Sequence, residues 1–85
     1  MSARIESEIL RHVTARGPDK LICPSEVARA LDPEAWRGLL TPVRRAAARL
    51  AQAGRIDILR KGRPVDPTLE IKGVIRLRAR QAAEE

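Results

Sequence analysis

The 85-residue sequence is poor in the side chains that do chemistry. It has one cysteine, one histidine and one aromatic residue, Trp36, with no Phe or Tyr. Each scarcity excludes something. A single cysteine allows no intramolecular disulfide and no zinc site of the multi-cysteine kind. With no Phe or Tyr and Trp36 expected in the core, a single strand is a weaker candidate partner, because such modules stack bases on aromatic side chains. No stretch approaches the roughly 20 apolar residues that span a bilayer, and MSARIESEIL lacks the apolar run of a signal peptide. The expectation is a cytoplasmic protein with no membrane association. There is no Gly-rich phosphate loop, no carboxylate pair at catalytic spacing and no cluster of metal ligands, so neither a metal nor a cofactor is expected.

The residues left for nucleophilic chemistry are Cys23 and His12. A cysteine at a helix start is a candidate nucleophile, but catalysis also needs a base and an oxyanion site, and nothing in the sequence brings His12 to it. In ICPSEVARAL, Pro24 suits the first helical position. Glu26 suits the third, where its carboxylate can reach back to a free N–H. Cys23 then occupies the N-cap slot. The stretch reads as a helix start, and the protein as a non-enzyme.

What the chain does have is positive charge and aliphatic side chains. The net charge is +6, and 14 of the 17 cationic residues are arginine, which favours a polyanionic partner. The length allows one small domain, here residues 1–80 followed by a frayed polar tail, 81–85. Ser2 can cap a first helix running to about Arg16, with Ile5, Ile9 and Val13 in one apolar stripe. Glu6 falls inside that stripe, in what reads as the first turn, where an acid suits the helix dipole. Gly17-Pro18 ends the helix. Leu21-Ile22 is a minimal strand, followed by the helix that starts at Pro24. Asp32-Pro33 and Thr41-Pro42 repeat the cap-and-proline device, giving a short turn and then a third helix over residues 42–53. Trp36, Leu39 and Leu40 fall between the two helices as an apolar plug.

After Gly54 the period changes to alternation. Arg55 to Arg60 reads as a strand with Ile56 and Ile58 inward. Lys61-Gly62-Arg63-Pro64 reads as a turn, residues 65–72 as an irregular excursion, and Val74 to Arg78 as a second strand with Ile75 and Leu77 inward. The predicted class is α+β, mostly helical. The order is that of a winged helix-turn-helix: three main helices and a C-terminal β-hairpin wing.

CPSEVARAL, the following Trp36-Arg37, VRRAAARL and GVIRLR resemble a family of small bacterial winged-helix proteins, a domain of unknown function. The resemblance runs from about Ile5 to Arg78. It departs at Val74, where that family has proline. It implies the fold and brings no activity or functional residue.

On a helical wheel the third helix places Val43, Ala46, Ala47, Leu50 and Ala51 on one side. Arg44, Arg45, Arg49 and Gln52 fall on the other, around Ala48, with no acid of the helix among them. In a helix-turn-helix this helix enters the major groove. Arg44 and Arg45 are then placed to read guanine as forks, Arg49 and Gln52 to reach a phosphate or another base, and Thr41 to meet a phosphate at the helix start. Lys61 and Arg63 add charge on the wing. Arg76, Arg78 and Arg80 share one face of the last strand, a pattern that also serves to discourage edge aggregation. The expected function is binding of double-stranded DNA, as in a transcriptional regulator. One module would bind weakly, so a homodimer or a protein partner is expected as well. The alternative is an adaptor that offers the same basic face to an acidic protein.

Overall fold

A computed structural model describes residues 2–80, and the tail read as frayed lies outside the described residues. Helix α1 spans Ser2–Arg16, so Ser2 is its first residue rather than its cap. Ile5, Ile9 and Val13 are fully buried, as their spacing requires. Glu6, read as a first-turn acid, lies one turn further in and turns sideways towards the third helix.

Helix α2 spans Pro24–Leu31 with Cys23 as N-cap and proline in its first turn. The Cys23 N–H donates to Glu26 Oε2 at 3.0 Å, satisfying a donor that the helix leaves free. Arg16 donates to the other oxygen of the same carboxylate, Oε1, at 2.5 Å and to the Leu21 carbonyl at 3.0 Å. The end of α1 is thereby tied to the start of α2. The Cys23 N–H and the Arg16 guanidinium together hold the Glu26 carboxyl below the ordinary carboxylate range.

Asp32 acts as a cap. Its Oδ1 accepts the N–H groups of Glu34 and Ala35 at 3.1 and 3.0 Å. The chain then forms a 3₁₀ turn, Trp36–Leu39, that runs straight into helix α3, Leu40–Gln52. The cap expected at Thr41 is therefore absent: Thr41 is the second residue of α3 and Pro42 the third. Proline is tolerated anywhere in a first turn, because those N–H groups have no partner within the helix. It marks the turn and not its first residue. Trp36, Leu39 and Leu40 are half-buried against the core, as a plug between helices should be. Trp36 also carries two cations, with the guanidinium carbons of Arg29 and Arg37 at 4.3 and 4.5 Å from its ring centroid.

Strand β1 spans Ile56–Arg60, β2 Arg63–Pro64 and β3 Arg76–Ala79. They form an antiparallel sheet in the order β2-β1-β3. Arg60 pairs with Arg63 across a two-residue connection, Lys61-Gly62. Both connecting residues have positive φ, 53° and 81°, the geometry that matches the twist of a tight hairpin. The segment read as a turn is thus a hairpin of its own, inside the larger one formed by β1 and β3. Ile22 bridges Leu77 on the free side of β3, each N–H bonded to the other's carbonyl at 2.8 Å. The minimal strand is one residue long.

The inner face of the sheet, Ile56, Ile58, Ile75 and Leu77, closes on α1, α2 and α3 to form one aliphatic core. Ala46 and Ala47 are buried where α3 meets it, and α3 packs against α1. Leu59, which points the other way from Ile56 and Ile58, is buried too. Arg76 lies opposite it across the strand pair, and long cationic stems cover apolar surface well. Among the described residues the result is an α+β fold with three α-helices, a three-stranded antiparallel sheet and a winged-helix-like topology.

Candidate functional site

The buried side of α3 fixes which of its residues remain outside. Val43, Ala46, Ala47, Leu50 and Ala51 are inward. The outward residues fall into three rows with different neighbours.

Arg44, Ala48 and Gln52, at four-residue spacing, form one row along the helix. Residues 65–73 lie along this row as a strap. Gln52 Nε2 donates to the Pro67 carbonyl at 2.8 Å. Arg44 donates from Nη1 to the Gly73 carbonyl and from Nη2 to the Ile71 carbonyl, both at 3.0 Å. The strap therefore runs antiparallel to α3, starting beside its C-terminal end. It has its own internal fastening. The Val65 N–H donates to the Ile58 carbonyl at 2.9 Å. Thr68 donates to Asp66 Oδ1 from its N–H at 2.9 Å and its hydroxyl at 2.6 Å, which holds the Asp66 carboxyl below its usual range. Val65 and Ile71 pack on the core. Gly73 has a φ of 78°, and a Cβ there would meet Arg60 Nε at 3.5 Å. The left-handed backbone calls for glycine, while the guanidinium is at ordinary contact distance.

Arg49 forms the opposite row. Its Nε donates to Glu6 Oε2 at 2.8 Å, and both side chains are partly exposed. The helix itself carries no acid on this face, but α1 supplies one.

Between these rows stand Thr41 and Arg45, both exposed. Neither side chain has a hydrogen-bond or ion-pair partner among the described residues. Together with Arg44, Ala48 and the strap residues Leu69 to Ile71 they line an open cleft of about 410 Å³. Lys61 and Arg63, at the tip and on the short strand of the β1–β2 hairpin, are likewise exposed. They too are without an acid at ion-pair distance among the described residues.

Of the seven residues singled out from the sequence, the structure thus leaves Thr41, Arg45, Lys61 and Arg63 open. It engages Arg44 and Gln52 with the strap and Arg49 with α1. The strand arginines are also partly employed. Arg78 pairs with Asp57 at 2.9 Å across β1 and β3. Arg76 donates to the Ile75 carbonyl at 3.0 Å. The strap contacts had one legible signal, the eight-residue spacing that puts Arg44 and Gln52 in one row of α3, but a carbonyl acceptor leaves no trace in a sequence. The stack of Arg29 and Arg37 on Trp36 had none beyond the adjacency of Trp36 and Arg37.

Cys23 is half-buried. Its Sγ accepts the Ser25 hydroxyl at 3.1 Å and lies 3.9 Å from Arg76 Nη1. His12 Nδ1 lies 2.9 Å from the Glu8 carbonyl and 3.3 Å from Glu8 Oε2. No hydrogen bond joins Cys23 to His12 among the described residues. Among these residues there is also no group of three or more His, Cys, Asp or Glu that could hold a metal ion. No described helix is long and apolar enough to cross a membrane.

The sequence pattern of a family described as "Protein of unknown function (DUF3253)" matches residues 2–80, and the chain belongs to that family. A comparison with curated proteins finds no match.

Proposed function

We propose that this member of a family of unknown function is a winged-helix protein that binds double-stranded DNA without catalysing a reaction. The observation that carries the reading is the open row of Thr41 and Arg45 on α3, with Lys61 and Arg63 exposed on the hairpin. These are cations and a hydroxyl without partners among the described residues, on a protein of net charge +6. Arg45 lies in the N-terminal half of α3, the part of a recognition helix nearest the bases. A guanidinium there can bond guanine O6 and N7 together. Thr41 suits a phosphate beside it. Lys61 and Arg63 suit the backbone, or a minor groove, further along the duplex.

The remaining candidates take supporting roles. Arg44 and Gln52 hold the strap and so set the width of the surface offered to a groove. Arg49 can exchange Glu6 for a phosphate, since a partly exposed ion pair contributes only about 0–1 kcal/mol. One domain of this size would cover about 600–1,000 Å² on DNA, so tight binding calls for a second copy or a partner.

One observation favours the adaptor reading. Leu69 and Val74, within and just after the strap, are 66% and 72% exposed, and apolar side chains beside arginines suit an acidic protein.

The test is fluorescence anisotropy of a labelled 30-base-pair duplex against salt. Affinity should fall steeply as salt rises. Arg45→Ala should weaken binding and flatten preference between sequences. Absence of binding by the native protein at low salt would remove the DNA reading and leave the adaptor.

A further inference from the structure

The strongest feature outside this site is the pair of guanidinium groups on Trp36. Arg29 comes from α2 and Arg37 from the 3₁₀ turn, and both are exposed. Both lie over the one indole, at 4.3 and 4.5 Å from its centroid. These distances keep the two charges within about 9 Å of each other, close to the Debye length of about 8 Å at physiological salt. Each cation gains from the ring, but each also repels the other. The acids nearest in sequence form no ion pair with them. Asp32 Oδ1 accepts the N–H groups of Glu34 and Ala35. Among the described residues no ion pair forms between Glu34, or any other acid, and either arginine.

The location adds meaning to the pair. The 3₁₀ turn runs without a break into α3, so Arg37 stands at the N-terminal end of the helix that carries Thr41 and Arg45. Resting on the indole limits the freedom of two long side chains, so less is lost when they bind. Two oriented guanidinium groups, close together and without an acid, match phosphate oxygens spaced along a nucleic-acid backbone.

We infer that Arg29, Trp36 and Arg37 form a phosphate clamp, which grips the duplex backbone beside the groove that α3 faces. This rests on the DNA reading above and adds a second contact region to it. The clamp supplies affinity and register, and Arg45 supplies preference between sequences.

Trp36 is the only aromatic residue, so its emission reports on this place alone. The experiment titrates the full chain with the 30-base-pair duplex and follows both anisotropy of the DNA label and tryptophan emission. It is repeated across a salt series for the native chain, the Arg29→Gln, Arg37→Gln variant and an Arg4→Gln, Arg55→Gln control. The control loses the same charge from exposed positions on α1 and beyond the far end of α3. The clamp predicts that native Trp36 emission changes in step with anisotropy. It also predicts that the Arg29, Arg37 variant lowers the salt slope by about two units, roughly one per lost phosphate contact, while the control changes it by less than about one. Circular dichroism checks that both variants keep their fold. Binding with unchanged Trp36 emission overturns the clamp. A slope for the Arg29, Arg37 variant equal to that of the native chain or of the control does the same. Either result leaves the DNA reading standing. Failure of the native chain to bind removes both. A clamp effect with no effect of Arg45→Ala keeps the clamp and removes α3 as the reader.

Discussion

Arg44 and Arg45 are consecutive on α3, with the same chemistry and nearly the same exposure to a helical-wheel reading, yet they belong to different regions of the molecule. Arg44 faces the strap and gives two N–H groups to the carbonyls of Ile71 and Gly73. Arg45 faces the open row and gives none to the described residues. One residue of rotation, about 100°, separates a guanidinium used to fold the chain from one that the described residues do not engage. A basic helix face is therefore not one surface. Its edges can be taken up by the protein itself, and only the remainder is available for recognition.

The contrast is sharpest as a double dissociation between stability and binding. Arg45→Ala should cost about 1–3 kcal/mol of binding to a preferred duplex and change unfolding free energy by no more than about 0.5 kcal/mol. Anisotropy and urea denaturation of the same preparation would measure both. Arg44→Ala should do the reverse. Loss of two charged hydrogen bonds, partly replaced by water, should lower stability by about 1–2 kcal/mol, with a milder effect on affinity through a looser strap. A large binding loss for Arg44→Ala without destabilisation would erase the distinction between the two rows.

Smaller effects refine it. Lys61→Asn should stabilise the hairpin by roughly 0.5 kcal/mol, since asparagine accepts positive φ more readily than lysine. It should also reduce the salt slope by about one unit if Lys61 meets a phosphate. A stabilised variant with native affinity would restrict Lys61 to a turn residue. Gln52→Ala removes a single neutral hydrogen bond to the strap and should cost about 0.5–1 kcal/mol of stability, again with little change in binding.

The smallest effect lies away from α3. The folded state depresses the Glu26 carboxyl below its ordinary value of 4.5. Its stabilising contribution is then fully present above that value and fades as the pH falls through the lower, folded one. Glu26→Gln should flatten the acid limb of the stability curve and leave the duplex salt slope unchanged. An unchanged acid limb in thermal melts from pH 5 downward would show that the cap contributes nothing through its charge.

Much of the architecture was legible because local rules and tertiary packing agree. Ile5, Ile9 and Val13 announced α1, and Cys23-Pro24-Ser25-Glu26 announced the start of α2 down to the carboxylate that reaches back. Alternation from Ile56 announced β1. The rules failed where two devices look alike in sequence. Asp32-Pro33 and Thr41-Pro42 carry the same signature, but only Asp32 caps, because Leu39 and Leu40 pack on the core and carry the chain directly into α3. Lys61-Gly62-Arg63-Pro64 read as one turn, and the short strand Arg63–Pro64 within it went unseen, because lysine is an unusual first residue for so tight a hairpin. For the candidate site, the outward face of α3 was visible as composition, but the neighbours of its residues were not. Glu6 is 43 positions from Arg49, and the acceptors for Arg44 and Gln52 are backbone carbonyls, which any sequence would provide.

The bridge between Ile22 and Leu77 has a consequence for how the chain reaches this state. The earliest strand-like residue pairs with the last strand, so the sheet cannot close until nearly the whole domain is available. Contacts so far apart in sequence make folding slower than in a simple helical bundle. A nascent chain ending at Arg60 contains all three helices, yet Ile22 has no strand to pair with and the place of Leu77 in the core is vacant. Its helices should form and fray, with backbone amides that exchange rapidly with solvent, until β3 arrives and locks the domain in a single step.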